Sequence, residues 1–282
     1  MNAEEEYAPI NELASEVPLR AIVPNLVTSL AVCAGITSIS FSSEGRFKEA
    51  LVALVIACIC DGLDGRIARL LKASSKMGAE LDSLADFVNF GVAPAMFMYY
   101  WMTGGPQHVL ANNEAVAPVM VRLTLGAALF YAMCDCFRLA RFNTMLEKPA
   151  EEYWKHFFTG VPAPGGCWMV LTPAIISLAL DAKGISAKLA SWLQNPYLGI
   201  FMLLFVGALM ASRLPTISLK KLRISKRYML PVMATMVLLI SLLVTNFWLT
   251  IGVVGALYIL TIPVSCWAFL RIKAAHLAKC AS

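Results

Sequence analysis

The chain has 282 residues, of which 59% are hydrophobic and 15% are charged. Its mean hydropathy is +0.70, and it has more apolar residues than the core of one soluble domain would need. The composition therefore excludes a soluble globular domain and predicts an all-α polytopic membrane protein. The net charge of +5 requires no nucleic acid partner, because the basic residues gather on loops that would face anionic lipid head groups.

Apolar windows of roughly 20 residues, the length of helix that crosses a bilayer, recur along the chain. They predict about eight transmembrane helices, at about 20–41, 49–71, 80–102, 119–142, 158–180, 197–212, 229–247 and 249–270. The chain then divides into an acidic N-terminal tail at 1–18, an integral membrane domain at 19–270 and a basic C-terminal tail at 271–282.

The distribution of basic residues predicts the orientation of these helices. Residues 1–18 lack the basic region and the cleavage site of a signal peptide, so we expect this tail to be cytoplasmic. With that orientation, most of the 23 Lys and Arg fall on the cytoplasmic side, as the positive-inside rule requires. Five fall on the other side, namely Arg46, Lys48, Arg122, Lys183 and Lys188. Both termini and the polar segment 61–86 are therefore predicted to be cytoplasmic.

Two polar stripes occupy the cytoplasmic ends of the second and third predicted helices. The first follows the i, i+3, i+4, i+7, i+8 spacing of one helix face and contains Asp61, Asp64, Gly65, Ala68 and Arg69. After the short turn KASSK, the second stripe contains Gly78, Asp82 and Asp86. Two antiparallel helices joined by so short a turn can face these stripes toward each other, which predicts four carboxylates around one cavity.

Four carboxylates this close together would repel one another, so the cluster predicts bound cations. Hard oxygen ligands suit Mg²⁺, Mn²⁺ or Ca²⁺, and two such ions bridging a phosphate are a natural use of the cluster. Gly65 and Gly78 would leave room for a large polar ligand, and Arg69 could pair with a phosphate oxygen. Interfacial charges at a helix end would explain one or two of the aspartates, but not four on two facing stripes.

The pattern D-x-x-D-G-x-x-A-R, eight residues, G-x-x-x-D-x-x-x-D resembles the signature of the CDP-alcohol phosphotransferase family at every fixed position. The resemblance implies that Asp61, Asp64, Asp82 and Asp86 hold divalent metals and that Asp86 is also the general base. It implies a CDP site lined by Gly65, Ala68 and Arg69, with Gly78 beside it. A similar PN-x-x-T segment lies beside the nucleotide pocket in many members, which adds Asn25 and Thr28 as nucleotide contacts.

Three further segments resemble those that distinguish the phosphatidylserine synthases within this family. They are RLARFN at 138–143, FTGVPAPGG at 158–166 and SRLPTISLKKLRISKR at 212–227, and the two C-terminal spans beyond a six-span core point the same way. The resemblance implies transfer of a phosphatidyl group from CDP-diacylglycerol to L-serine with release of CMP, dependent on Mg²⁺ or Mn²⁺. It also implies a homodimer in the bacterial inner membrane with its active site facing the cytoplasm.

On the acceptor side, Arg138 and Arg141 are one helical turn apart and close enough to receive a carboxylate or a phosphate together. Each could instead extend to the membrane surface, and Asp135 could hold Arg138 in a local ion pair.

Three other functions remain open. A sister enzyme would use glycerol 3-phosphate, inositol phosphate or choline as the alcohol. A cation transporter would place its carboxylates at the bilayer midplane, whereas these lie near the cytoplasmic edge. An intramembrane prenyltransferase would have two aspartate-rich motifs far apart in the chain, whereas these are joined by one turn.

Overall fold

The computed structural model describes residues 19–73, 75–104, 118–145, 157–181, 187–212, 215–217 and 229–280. The helices of the N-terminal half are α1 (Leu19–Ser43), α2 (Phe47–Leu70), α3 (Lys76–Asp86), a π-helical turn (Phe87–Val92), α4 (Ala93–Thr103) and α5 (Pro118–Met145). Those of the C-terminal half are α6 (Ala163–Asp181), α7 (Ala187–Leu193), α8 (Pro196–Ala211), α9 (Met229–Thr245) and α10 (Phe247–Cys280). Two short strands, β1 (Phe157–Thr159) and β2 (Pro215–Ile217), pair antiparallel.

Local sequence signals explain where several helices begin and end. Ser75 caps α3, because its Oγ accepts a hydrogen bond from the Gly78 N–H at 3.0 Å. Asn195 caps α8 in the same way, with Pro196 at the first helical position. Helix α4 ends at Gly104, whose φ of 76° is the left-handed conformation that ends many helices.

The helices pack around one apolar core. Helix α1 packs along α2 and also contacts α3, the π-helical turn and α4, while α5 packs on α8 and α6 on α10. The largest fully buried side chains include Phe90, Phe97, Tyr131, Met169 and Leu203, which come from the π-helical turn, α4, α5, α6 and α8. Helix α9 has no buried residue and packs on α10. The core therefore sits between the aspartate-bearing helices and the C-terminal half.

Several predicted spans agree with the helices, but their lengths differ. Three described helices are long and apolar enough to cross a membrane, at Ile22–Ser43, Pro118–Thr144 and Ala163–Leu180. Shorter apolar helices cover Pro196–Ala211, Met229–Thr245 and Phe247–Pro263. The last helix continues to Cys280, so most of the predicted C-terminal tail is helical, and α7 was not predicted. The predicted N-terminal tail lies outside the described residues.

The fifth predicted span begins later than its apolar pattern indicates. The predicted start at residue 158 lies in strand β1, and helix α6 begins only at Ala163. Gly160 has a φ of +82°, which a helix cannot contain, and it directly follows the strand. The apolar pattern predicts burial but not conformation, and the left-handed Gly160 keeps the helix from starting before it.

Candidate active site

Helix α2 places its aspartates on the face that packs toward α1. Asp64 is 3% exposed, and the Thr28 hydroxyl of α1 lies 2.7 Å from its Oδ2 and 3.1 Å from the Pro24 carbonyl. A buried carboxylate needs such a partner, because desolvation without a hydrogen bond is costly. Thr28 therefore orients one carboxylate of the predicted cluster.

The turn after α2 returns the chain so that α3 faces the same site. Lys72 in this turn has a φ of 50°, and Ser75 then starts α3. As a result, one carboxylate oxygen from each of Asp61, Asp64 and Asp82 lies within 4.8 Å of the other two. Asp86, one turn beyond Asp82, shares a side-chain hydrogen bond with Asp61. The two predicted stripes do face each other.

The donor set of this cluster fits a divalent cation. Three carboxylate oxygens at this separation are hard ligands, which suit Mg²⁺ or Mn²⁺ in an oxygen-rich coordination shell. Without a cation, three negative charges this close would destabilise one another. Asp64 is also buried and already oriented by Thr28, as expected of a ligand held by an outer partner.

A cavity of about 300 Å³ opens beside the cluster, at the lower end of the range of roughly 300–1,000 Å³ found for ligand pockets. It is lined by Pro24, Asn25, Thr28, Asp64, Gly65, Ala68, Arg69, Ala73, Ser75, Gly78, Ala79 and Asp82. Every residue predicted to contact the nucleotide is in this set. Sequence reasoning missed Ser75, although serine is a preferred residue directly before a helix, as it is here before α3.

The two glycines of the motif have different reasons to lack a side chain. A Cβ on Gly78 would lie 3.0 Å from Asn25 Oδ1 and 3.1 Å from Ser75 Oγ, so this glycine allows α3 to approach α1. A Cβ on Gly65 would meet no atom of the described residues within 4 Å. Since no atom of the described residues packs on Gly65 and it lines the cavity, its surface is available to a ligand.

Arg138 and Arg141 lie near the C-terminal end of α5, but they have different partners. Arg138 donates from Nε to the Val161 carbonyl at 2.8 Å and forms an ion pair with Asp135 at 3.7 Å. Asp135 is completely buried. Arg138 also has a favourable electrostatic interaction with Asp86.

Arg141 instead holds the end of a neighbouring helix. Its guanidinium donates to the carbonyls of Met210, Ala211 and Ser212, at 3.3, 2.7 and 2.9 Å. These carbonyls belong to the last two residues of α8 and to Ser212, its C-cap, and carbonyls at a helix end lack partners within the helix. The structure therefore does not join the two arginines into one anion-binding fork.

Comparison with known proteins agrees with this site. The family model described as CDP-alcohol phosphatidyltransferase matches residues 21–197, from α1 to the start of α8. The chain belongs to the CDP-alcohol phosphatidyltransferase family. The matched range contains the aspartates, all the cavity-lining residues and both arginines, whereas α9 and α10 follow it. With its long apolar helices, this family member is an integral membrane protein.

Similar proteins cover most of the chain. A protein of Mycobacterium leprae named CDP-diacylglycerol--serine O-phosphatidyltransferase is 35% identical over 243 residues, which are 86% of this chain and 73% of that protein. The protein of the same name from Mycobacterium tuberculosis (strain ATCC 25618 / H37Rv) is 34% identical, over 86% of this chain and 77% of its own length. The protein of the same name from Helicobacter pylori (strain J99 / ATCC 700824) is 30% identical, over 89% of this chain and 93% of its own length.

Proposed function

We propose that this family member transfers a phosphatidyl group from CDP-diacylglycerol to the hydroxyl of L-serine and releases CMP. The observation that carries the proposal is the aspartate cluster opening directly into a cavity lined by the family motif. The relatives named for the same reaction support serine as the acceptor. Glycerol 3-phosphate, inositol phosphate and choline are the alternative alcohols, and the experiment below separates them.

In the proposed reaction, the serine oxygen forms a bond to the phosphorus of the phosphatidyl group and the bond from that phosphorus to CMP breaks. Asp86 takes the proton of the serine hydroxyl, which ionises too weakly to react alone near neutral pH. Its interaction with Asp61, at the edge of the carboxylate cluster, supports this role, since the reacting phosphate would bind there. CMP leaves with the bonding electron pair.

Asp61, Asp64, Asp82 and Asp86 would hold the divalent ions, which we take to be two Mg²⁺ or Mn²⁺. A divalent ion held by these carboxylates would supply positive charge to neutralise the diphosphate. Thr28 orients Asp64, and Arg69 adds a fixed positive charge at the cavity wall. Asn25, Gly65, Ala68 and Gly78 would contact the cytidine and its phosphates, since all four line the cavity.

On the acceptor side, we assign Arg138 to the serine carboxylate. Its favourable electrostatic interaction with Asp86 supports this assignment, because the attacking hydroxyl must lie near the proposed base. Arg141 was predicted to share this role, and it remains a weaker candidate because three of its hydrogen bonds hold the end of α8.

We also propose that the chain crosses the bacterial inner membrane about eight times, with both termini and the active site cytoplasmic, and that it forms a homodimer. The proposed division into tails at 1–18 and 271–282 and a membrane domain at 19–270 follows from the same orientation. Helices α9 and α10 would be the two spans beyond the family core, since both follow the matched range.

The function is tested by CMP release from CDP-diacylglycerol in purified, detergent-solubilised protein, with each alcohol in turn and with Mg²⁺, Mn²⁺ or EDTA. For the wild type, we expect CMP release that requires both L-serine and a divalent metal. The variant Arg138→Lys should raise the KM for serine and leave the KM for CDP-diacylglycerol unchanged. Release with another alcohol only would keep the reaction and change the acceptor. No release with any alcohol would contradict the proposal and favour a cation transporter.

The nucleotide cavity is tested by a matched pair of glycines on α2. Gly65→Leu should raise the KM for CDP-diacylglycerol at least about tenfold, because its side chain would enter the cavity from a position on which no described residue packs. Gly62→Leu is the control, since a Cβ there also meets no described atom within 4 Å but Gly62 does not line the cavity. Equal KM values in the two variants would contradict the assignment.

A further inference from the structure

The helix that carries Asp86 changes its hydrogen-bonding pattern immediately after that residue. Residues Phe87–Val92 form a π-helical turn, in which the Ala93 N–H bonds to the Val88 carbonyl five residues earlier. Such a turn inserts one residue into a helix, and it is frequent at functional sites. One inserted residue rotates the segments before and after it by about 100° relative to each other.

The cause of the turn is visible in the sequence. Pro94 has no N–H, and in a regular α-helix its ring would clash with the carbonyl four residues earlier, which belongs to Phe90. The π-helical turn avoids that clash. Because Pro94 has no N–H, the carbonyl of buried Phe90 also lacks its ordinary α-helical donor. A buried carbonyl of this kind needs another donor.

That donor is Tyr131 of α5. Its hydroxyl donates to the Phe90 carbonyl at 2.9 Å, and the whole side chain is buried at 0% exposure. The bond joins residues 41 positions apart, so it fixes the turn to a different helix. On the same side, a Cβ on Gly91 would lie 2.8 Å from Asp135 Oδ2, so α5 contacts the turn at two successive residues.

We propose that Tyr131 is a positioning residue for Asp86. By holding the Phe90 carbonyl, it stabilises the π-helical turn and so sets the rotation of α3, and with it the direction of the Asp86 carboxylate toward Asp61. The inference rests on the proposed role of Asp86 as the general base. Tyr131 acts on the reaction through the backbone and not by contact with the reacting atoms.

The test is Tyr131→Phe, which removes the donor oxygen and keeps the ring in the core. We expect kcat for CMP release to fall about tenfold, because a misplacement near 1 Å of a catalytic group can lower the rate on the order of 100-fold. The KM values for serine and CDP-diacylglycerol should change less than about twofold. Amide hydrogen exchange at Phe87–Val92 should become faster without substrate present. Tyr99→Phe, the same change in α4, is the control and should alter neither quantity.

A second variant shows whether Tyr131 acts through the Phe90 carbonyl. Pro94→Ala supplies the missing N–H, so an α-helical bond to that carbonyl can form and the turn can lose its inserted residue. We expect Pro94→Ala to lower kcat, and we expect Tyr131→Phe added to it to lower kcat little further, because both changes act on one carbonyl. Additive losses would overturn the inference.

The outcomes separate the inference from the proposed function. If the wild type releases CMP with serine and Tyr131→Phe matches it in kcat and in hydrogen exchange, the positioning role alone is wrong. If the wild type releases no CMP with any alcohol, the proposed function is wrong and the inference falls with it. A Tyr131→Phe variant that lowers the melting temperature but leaves kcat unchanged would show a structural role only and would also overturn it.

Discussion

Asp86→Asn is expected to lower serine-dependent CMP release by roughly a thousandfold, within the range of 10² to 10⁴ typical of a lost general base. The amide keeps the size of the carboxylate and can still take part in a hydrogen bond with Asp61, so the helix pair should stay intact. It cannot take the proton of the serine hydroxyl. The measurement is the initial rate of CMP release at saturating Mn²⁺ and at both substrates above their KM.

The matched control for this variant is Glu80→Gln on the same helix. Glu80 is exposed and lies outside the cavity lining, so losing its charge should change the rate less than about twofold, as for most surface substitutions. A kcat for Asp86→Asn within tenfold of the wild-type value would show that another group takes the proton. A fall in both variants would instead indicate a general effect of charge on α3.

The aspartate cluster could be predicted because it depends on local rules. Helical spacing places Asp61 and Asp64 on one face, and a turn as short as KASSK forces the next helix to return beside them. The close approach of Asp61, Asp64 and Asp82 in space follows from these two facts alone. The nucleotide cavity was predictable to the same extent, since most of its lining comes from these helices and the start of α1.

The acceptor side could not be predicted in the same way, because it depends on contacts between distant parts of the chain. The spacing of Arg138 and Arg141 suggests one shared ligand, but their partners are the carbonyl of Val161 and the end of α8 at Ala211. No local pattern distinguishes a guanidinium that binds substrate from one that caps a neighbouring helix. The start of α6 was misplaced for a related reason, since hydropathy does not register the left-handed Gly160.

The π-helical turn lies between these two cases. Pro94 signals that the Phe90 carbonyl must lose its helical partner, and this much is local. Whether the helix then bends, breaks or inserts a residue depends on what else can bind that carbonyl. Here the answer is Tyr131, which the sequence places 41 residues away.

Asp64→Asn is expected to weaken Mn²⁺ binding by about 100-fold or more, because it removes a charged ligand from a cluster of three. The variant should fold, since the Asn Oδ1 can still accept the hydrogen bond from Thr28 at the same place. In EDTA its melting temperature should not fall below that of the wild type, because one of three mutually repelling charges is gone. Added Mn²⁺ should raise the melting temperature of the wild type and leave that of the variant unchanged.

Mn²⁺ binding is measured without substrate, by titration of the electron paramagnetic resonance signal of the free ion in solubilised protein. A pair of variants at Thr28 tests whether the 2.7 Å contact to Asp64 contributes. Thr28→Val removes the hydroxyl and should weaken Mn²⁺ binding by roughly tenfold, the lower end of the effect of losing a group that orients a metal ligand. Thr28→Ser keeps the hydroxyl and should bind Mn²⁺ as the wild type does. Wild-type Mn²⁺ affinity in Asp64→Asn would place the metal elsewhere. Equal losses in the two Thr28 variants would show that the hydroxyl is not the cause, because Thr28→Ser keeps that hydroxyl.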